Sequence, residues 1–171
     1  MTAVPERVHW MVDLLDLRPS DHVLEIGCGA GQAVALVCER HTRGTITAID
    51  RSPIMVRRAR ERNRACIESG RARVEQRALA DASFDTQFRK VFAINVNAFW
   101  TAPAPSLAAL KRLLHPQGTA YLAYEPPSAG RLRQLRERLP TQLEENGFNV
   151  RDVREQRFSK ASGICIIGTL R

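Results

Sequence analysis

The chain has 171 residues and a formal net charge of +8, with 44% hydrophobic and 26% charged residues. That is enough for one globular domain with a substantial core. No apolar run reaches the roughly 18 to 20 residues of a bilayer span, and the opening MTAVPERVHW lacks the basic-then-apolar order of a secretory signal, so a cytoplasmic protein is expected.

In chain order, the signals alternate between helix and strand. Residues 4–17 predict a helix, with Val8, Met11, Val12 and Leu15 at helical spacing. Pro19 to Asp21 end it, and a strand follows over His22 to Ile26. A glycine-rich turn then leads into a helix over Ala30 to His41. Gly44 to Asp50 reads as a second strand ending on an acid. Ser52 caps the next helix with Pro53 at its first position, and Met55, Val56, Ala59, Cys66 and Ile67 supply its apolar stripe. Arg57, Arg60 and Arg64 fall on the solvated face of that helix.

A third strand is expected at Ala72 to Arg77 and a fourth at Lys90 to Asn95. Ser106 to Leu114 predicts a helix, His115 to Gly118 a turn, and Thr119 to Glu125 a fifth strand. Arg131 to Asn146 is helical in pattern, but Pro140 should kink or split it; Gly147 stops it. Phe148 to Phe158 and Ile164 to Leu170 are strands joined by a link too short for a parallel crossover, so they form an antiparallel hairpin. Alternating units of this kind predict an α/β layered fold with a mainly parallel sheet.

The segment Val23 to Gln32, VLEIGCGAGQ, carries the strongest functional signal. Gly27, Gly29 and Gly31 let the backbone approach a ligand closely, and the following helix aims its N-terminal amides at the turn. Glu25, two residues before the first glycine, suits a ligand carrying positive charge. A dinucleotide fingerprint would need its third glycine three residues after the second, where this chain has Gln32. Cys28 lies inside the turn, where its small size matters more than its sulfur. The four cysteines (Cys28, Cys38, Cys66, Cys165) show no metal-binding spacing, so no metal site is expected and all four read as buried free thiols.

These segments, in this order, resemble class I S-adenosylmethionine-dependent methyltransferases from about Leu17 to Leu170. VLEIGCGAGQ resembles the family's first motif, and ITAIDRSPIMVRRAR its second strand and following helix. VFAINVNAFW is similar to the fourth-strand segment, and LKRLLHPQGTAYLAYE to the helix, Pro-x-Gly turn and fifth strand. The resemblance implies a doubly wound, seven-stranded sheet, mainly parallel, with helices on both faces and a C-terminal antiparallel β-hairpin. It also implies a single domain over 1–171, an N-terminal helix in 1–20 preceding a Rossmann-like core in 21–171.

Carried onto this chain, the resemblance implies S-adenosylmethionine as cofactor, with S-adenosylhomocysteine as product. Gly27, Cys28, Gly29 and Gly31 would wrap its methionine and ribose portions, with Glu25 supporting the amino end. Asp50 would accept hydrogen bonds from the ribose hydroxyls, Arg51 and Met55 would flank the adenine, and Asn95 would offer its carbonyl to the ammonium. The family often has Asp after strand three; Ala78 stands there, leaving backbone groups of Ala78 and Leu79 to hold the ring. Phe88-Arg89 likewise replaces the family's Phe-Asp pair.

Methyl transfer is an in-line displacement in which the protein chiefly supplies alignment, and no residue here is assigned as catalytic. Ligands bind beyond the C-terminal ends of the strands, where Asn97, Trp100 and Glu125 could line an acceptor site and His9 of the opening helix could lean over it. The Asp/Asn-Pro-Pro-aromatic motif of exocyclic-amine methyltransferases is absent after strand four. The expected activity is methylation of a small molecule. Alternatives are an RNA- or protein-directed methyltransferase and a cofactor-binding pseudoenzyme. Of the 26 basic residues 23 are Arg, which keeps nucleic acid open as a partner, but no aromatic-interleaved basic cluster favours it. No membrane partner is expected, and a homo-oligomer is left open.

Overall fold

The computed structural model describes residues 3–40 and 43–171. Among them β1 (His22–Ile26), β2 (Thr45–Asp50), β3 (Ala72–Gln76), β4 (Phe88–Ile94), β5 (Leu114–Tyr124), β6 (Phe148–Arg157) and β7 (Ser162–Leu170) form one sheet. Its order is β3-β2-β1-β4-β5-β7-β6. The first five strands pair in parallel, and β7 runs antiparallel between β5 and β6. The chain winds outward from β1 to β3 and then back across β1 to β4. That reversal opens a crevice at the C-terminal ends of β1 and β4, where open α/β sheets bind ligands.

Helices cover both faces. One face packs under α1 (Glu6–Leu14), α2 (Gln32–Arg40), α3 (Pro53–Arg62) and α4 (Arg64–Glu68), with Met11, Leu15, Val34 and Val37 buried. The other packs under α5 (Ala98–Thr101), α6 (Pro103–Leu113) and α7 (Ala129–Glu145), burying Phe99, Leu107, Leu110, Leu139 and Leu143. Central strands covered on both faces need near-continuous apolar sequence. From Val23 to Ile26 β1 obeys this except at Glu25, which is only 3% exposed.

Several expectations need correction. The opening helix is shorter than residues 4–17, and α2 begins at Gln32, not Ala30. His41, expected to end that helix, lies outside the described residues. The single helix expected after Pro53 is broken at Asn63, whose Nδ2 donates to the Ala59 carbonyl and ends α3. The expected turn at His115 to Gly118 is a bulge within β5: Phe88 pairs with Leu114, but Lys90 pairs with Thr119. A Cβ on Gly118 would stand 2.9 Å from the Phe88 carbonyl oxygen, so only glycine lets the bulged backbone pass.

Pro140 does not split α7, which runs unbroken for 17 residues. Pro140 cannot donate to the Arg136 carbonyl, but the buried Leu135, Leu139 and Leu143 anchor the helix on both sides of the gap. Tertiary packing of an apolar face outweighs the local defect.

The cysteines divide two and two. Cys28 and Cys165 are buried free thiols, whereas Cys38 and Cys66 form a disulfide. The bridge joins the end of α2 to α4, where the two Cα atoms are 6.4 Å apart, within disulfide reach. Their separation of 28 residues gave no local sign of this.

Candidate active site

β1 delivers the glycine turn to the crevice. The amides of Gly27 and Cys28 both donate to the Ile49 carbonyl, at 2.8 and 3.0 Å, which ties the turn to the end of β2. Gly27, Gly29 and Gly31 all have positive φ, but their surroundings differ. A Cβ on Gly31 would meet Asn63 Nδ2 at 2.5 Å and Ala59 Cβ at 2.9 Å, so this glycine lets α3 pack against the turn. A Cβ on Gly29 would meet nothing within 4 Å. Gly29 is the open point of the turn, where a ligand can reach the backbone.

Asp50 ends β2 and faces that point. Its Oδ2 accepts from the Gly29 amide and its Oδ1 from the Ser52 amide, both at 2.9 Å. The Ser52 hydroxyl in turn caps α3 by accepting from the Met55 amide. Each carboxylate oxygen can accept further bonds, so Asp50 is held in place yet still able to receive a ligand's hydroxyls. Beyond it, the Arg77 amide donates to the Asp50 carbonyl, setting Ala78 and Leu79 beside this edge of the crevice. Arg51 is exposed and Met55 half-buried.

Glu25 lies beneath the turn with its Oε2 buried and without a hydrogen-bond partner. Burial first, and the negative charge of Asp50 second, push its carboxyl up to about 8. A buried acid without a partner is costly, and the cost falls when a cation or donor arrives. Burial also raises the Cys28 thiol well above its usual range, which keeps it inert.

Across the crevice the end of β4 turns sharply at Asn95, which has a φ of 58°. Its amide donates to the Ala123 carbonyl, and its Oδ1 accepts from the Glu125 amide at 2.8 Å. The Tyr124 hydroxyl donates to the Val96 carbonyl at 2.8 Å, so the loop after β4 is fastened to the end of β5. Over this edge Arg7 of α1 pairs with Glu125 at 3.1 Å.

A methyltransferase domain model matches residues 23–118, from β1 through the β5 bulge. The chain belongs to this methyltransferase family. Its relatives include a protein-L-isoaspartate O-methyltransferase of Methylorubrum populi, 34% identical over 84% of this chain and 64% of that protein. This methyltransferase chain spans less than two thirds of the length of the curated relatives it matches. Among solved structures, the cyclase SpnF superposes with a TM-score of 0.77 at 16% identity, over 95% of this chain and 80% of that one. An S-adenosylmethionine-dependent methyltransferase of Thiobacillus denitrificans, bound to S-adenosyl-L-homocysteine, superposes at 0.71 and 13% identity, over 98% and 92%. At these identities the likeness is one of fold.

In this methyltransferase domain, Glu25, Gly27, Cys28, Gly29, Gly31 and Asp50 converge on one turn, while Asn95 and Glu125 meet on the facing edge. Two acceptor candidates have partners of their own. His9 Nδ1 is 3.4 Å from Nη2 of Arg40, which also pairs with Asp13. That places it at the last turn of α2, whose first turn adjoins the crevice. The Trp100 Nε1 donates to Asn97 Oδ1, and the Arg131 guanidinium of α7 lies 4.7 Å over its ring. Asn97 is exposed but occupied by that bond.

Two contributors escaped the sequence reading. Asn63, 4% exposed, donates from Nδ2 to the Gly31 carbonyl at 3.0 Å and fixes the far end of the glycine turn. Its signal was a polar residue on the apolar stripe, four positions after Ala59. Arg7 offered no local signal, since its partner lies 118 residues away. Among the described residues, no group of three or more His, Cys, Asp or Glu is placed to hold a metal.

Proposed function

We propose that the protein is an S-adenosylmethionine-dependent methyltransferase acting on a small molecule. The observation that carries the cofactor reading is the unpartnered Glu25 Oε2 beneath a turn whose middle glycine faces open space, with the Asp50 carboxylate fixed beside it. The open backbone at Gly29 suits close approach, and the buried acid suits a ligand bearing an ammonium. Asp50 suits a vicinal diol. S-adenosylmethionine has all three requirements.

In this reading the glycine turn and Cys28 hold the methionine and ribose portions. Glu25 and the Asn95 carbonyl receive the ammonium end, and Asp50 takes the ribose hydroxyls. Arg51 and Met55 flank the adenine from one side, while Ala78 and Leu79 hold it by backbone groups. When bound, the cofactor supplies a sulfonium methyl open to in-line attack. The protein's part is to orient the acceptor and exclude water, the sources of rate that alignment provides. No residue is assigned as a base.

The small-molecule reading rests on the acceptor side. Only residues 125–128 separate β5 from α7, and the Arg7–Glu125 pair draws α1 over the same edge. That leaves little chain at this edge to clasp a macromolecular acceptor. Calorimetric titration with S-adenosylhomocysteine tests the cofactor: saturable binding is expected, and none to folded protein would end the reading. Labelled methyl transfer in a cell extract, then separated by size, tests the acceptor. Label in the low-molecular-weight fraction is expected, and label confined to macromolecules overturns it.

A further inference from the structure

The positive charge of this chain is concentrated in one stretch. Residues 51–77 hold nine arginines, no lysine and three glutamates, six of the net eight positive charges. This stretch builds α3, α4 and β3, the free edge of the sheet. On the outer side of the two helices an open groove of about 560 Å³ runs between Arg57, Arg60 and Arg64 and the end of β3 at Gln76. We propose that this groove is a docking surface for the phosphodiester backbone of a structured RNA, separate from the crevice and additional to the small-molecule acceptor.

Three features favour that occupant. Arg57 and Arg60 stand about 4.5 Å apart along α3 at the α-helical rise, Arg64 opens α4 beyond the break at Asn63, and all three line the groove. Arginine's planar fork suits phosphate oxygens in two-point contact, and the groove presents arginine alone as its cation. Glu61 and Glu68 also line it, but Arg57 and Glu61 are 4.0 Å apart and largely exposed, a pairing that water and salt weaken. Arg60 is partly committed, donating from Nε to the Val74 carbonyl at 2.9 Å; that bond braces it against β3.

The groove's chemistry also disfavours other partners. No aromatic residue lines it, which removes both the stacking platform for unpaired bases and the aromatic anchors typical of protein interfaces. What remains is backbone contact, which positions a nucleic acid without reading its sequence. The groove begins at Pro53, next to Ser52 and Asp50 of the crevice, so a docked RNA would lie along the adenosine edge and leave the Arg7–Glu125 edge open.

Fluorescence anisotropy with a labelled RNA stem-loop tests this, across a salt series. Arg57→Gln with Arg64→Gln removes two charges without touching the Arg60 brace. Arg133→Gln with Arg157→Gln removes two exposed charges from α7 and β6, on the opposite side of the sheet. S-adenosylhomocysteine titration of each variant reports that the crevice is intact, independently of RNA. The groove pair should weaken RNA binding about tenfold and flatten the slope of log K against log salt by about 2, as expected for two lost phosphate contacts. The control pair should change affinity less than about twofold. Equal losses in both pairs would show diffuse attraction and overturn the proposal, as would an unmodified protein that fails to bind RNA at low salt. Equal affinity for polyglutamate, lost in the same groove variant, would instead assign the surface to an acidic protein.

Discussion

The Gly29 amide donates to Asp50 Oδ2 at 2.9 Å, joining the open point of the glycine turn to the last residue of the second strand. One carboxylate thus shapes the turn and, in the proposed site, faces the ligand. Asp50→Ala removes both functions. Hydrogen bonds to a charged group contribute about 1.5–3 kcal/mol each, so S-adenosylhomocysteine affinity should fall roughly 10- to 100-fold by calorimetry. Unchanged affinity would remove Asp50 from the site.

Two glycine substitutions should separate packing from binding. Gly31→Ala forces a left-handed backbone on alanine and drives its Cβ into α3, at a cost of roughly 2–5 kcal/mol. Its unfolding temperature should drop by several degrees or more. Gly29→Ala meets only the backbone cost, about 1–2 kcal/mol, because its Cβ finds open space. Its fold should survive while cofactor affinity falls more than tenfold. The reverse pattern would place the ligand elsewhere.

The turn was legible from sequence because its signature is local. Three glycines, a preceding acid and a strand-to-helix change all lie between Val23 and Gln32. The sheet and its closing hairpin were legible too, since a five-residue link restricts the pairing to antiparallel. What escaped detection depends on distant residues. Asn63, where the predicted helix breaks, also donates to the Gly31 carbonyl, 32 positions away in sequence. Pro140 fails to split α7 because three leucines find the sheet. His9 and Trp100 have suitable chemistry, but their partners Arg40 and Arg131 draw them into other contacts.

Asn63→Ala should expose that tertiary dependence. It removes two side-chain hydrogen bonds, to the Gly31 and Ala59 carbonyls, each worth about 0.5–1.5 kcal/mol, and leaves the Gly31 carbonyl only the Ala35 amide at 3.2 Å. Urea denaturation should show a lower midpoint with an unchanged slope, and cofactor affinity should fall as the turn loosens. A loss of stability with full cofactor affinity would show that the bond supports α3 and not the turn.

Glu25 gives the free protein a specific pH dependence. Its carboxyl titrates near 8 in the fold, against 4.5 as the reference. The folded state therefore holds a proton that the unfolded chain has lost, and this contribution to stability falls as pH rises from about 4.5 to about 8. Glu25→Gln should flatten that decline in urea unfolding measured at pH steps across the window. In the unmodified protein, an arriving ammonium favours the carboxylate, so cofactor binding should release a proton below pH 8. Calorimetry in buffers of different ionisation enthalpy reads that proton directly, and buffer-independent heats would place the ammonium away from Glu25.

The Cys38–Cys66 bridge predicts a redox-dependent stability. Closing a loop of this size is worth about 3.5 kcal/mol by the chain-entropy relation. Reduction by a small dithiol should lower the urea midpoint to that of the Cys38→Ser, Cys66→Ser double variant. Identical midpoints before and after reduction, with free thiols verified by titration, would mean that the bridge adds nothing to the fold.

The same bridge has a topological consequence. Asp50, Arg51, Ser52 and Met55 all lie on the chain between its two cysteines. The side of the crevice proposed for the adenosine is therefore carried on a covalently closed ring. A protease that severs the backbone once within that ring leaves two fragments still joined, each contributing part of the site. In this protein a nick there is visible only after reduction.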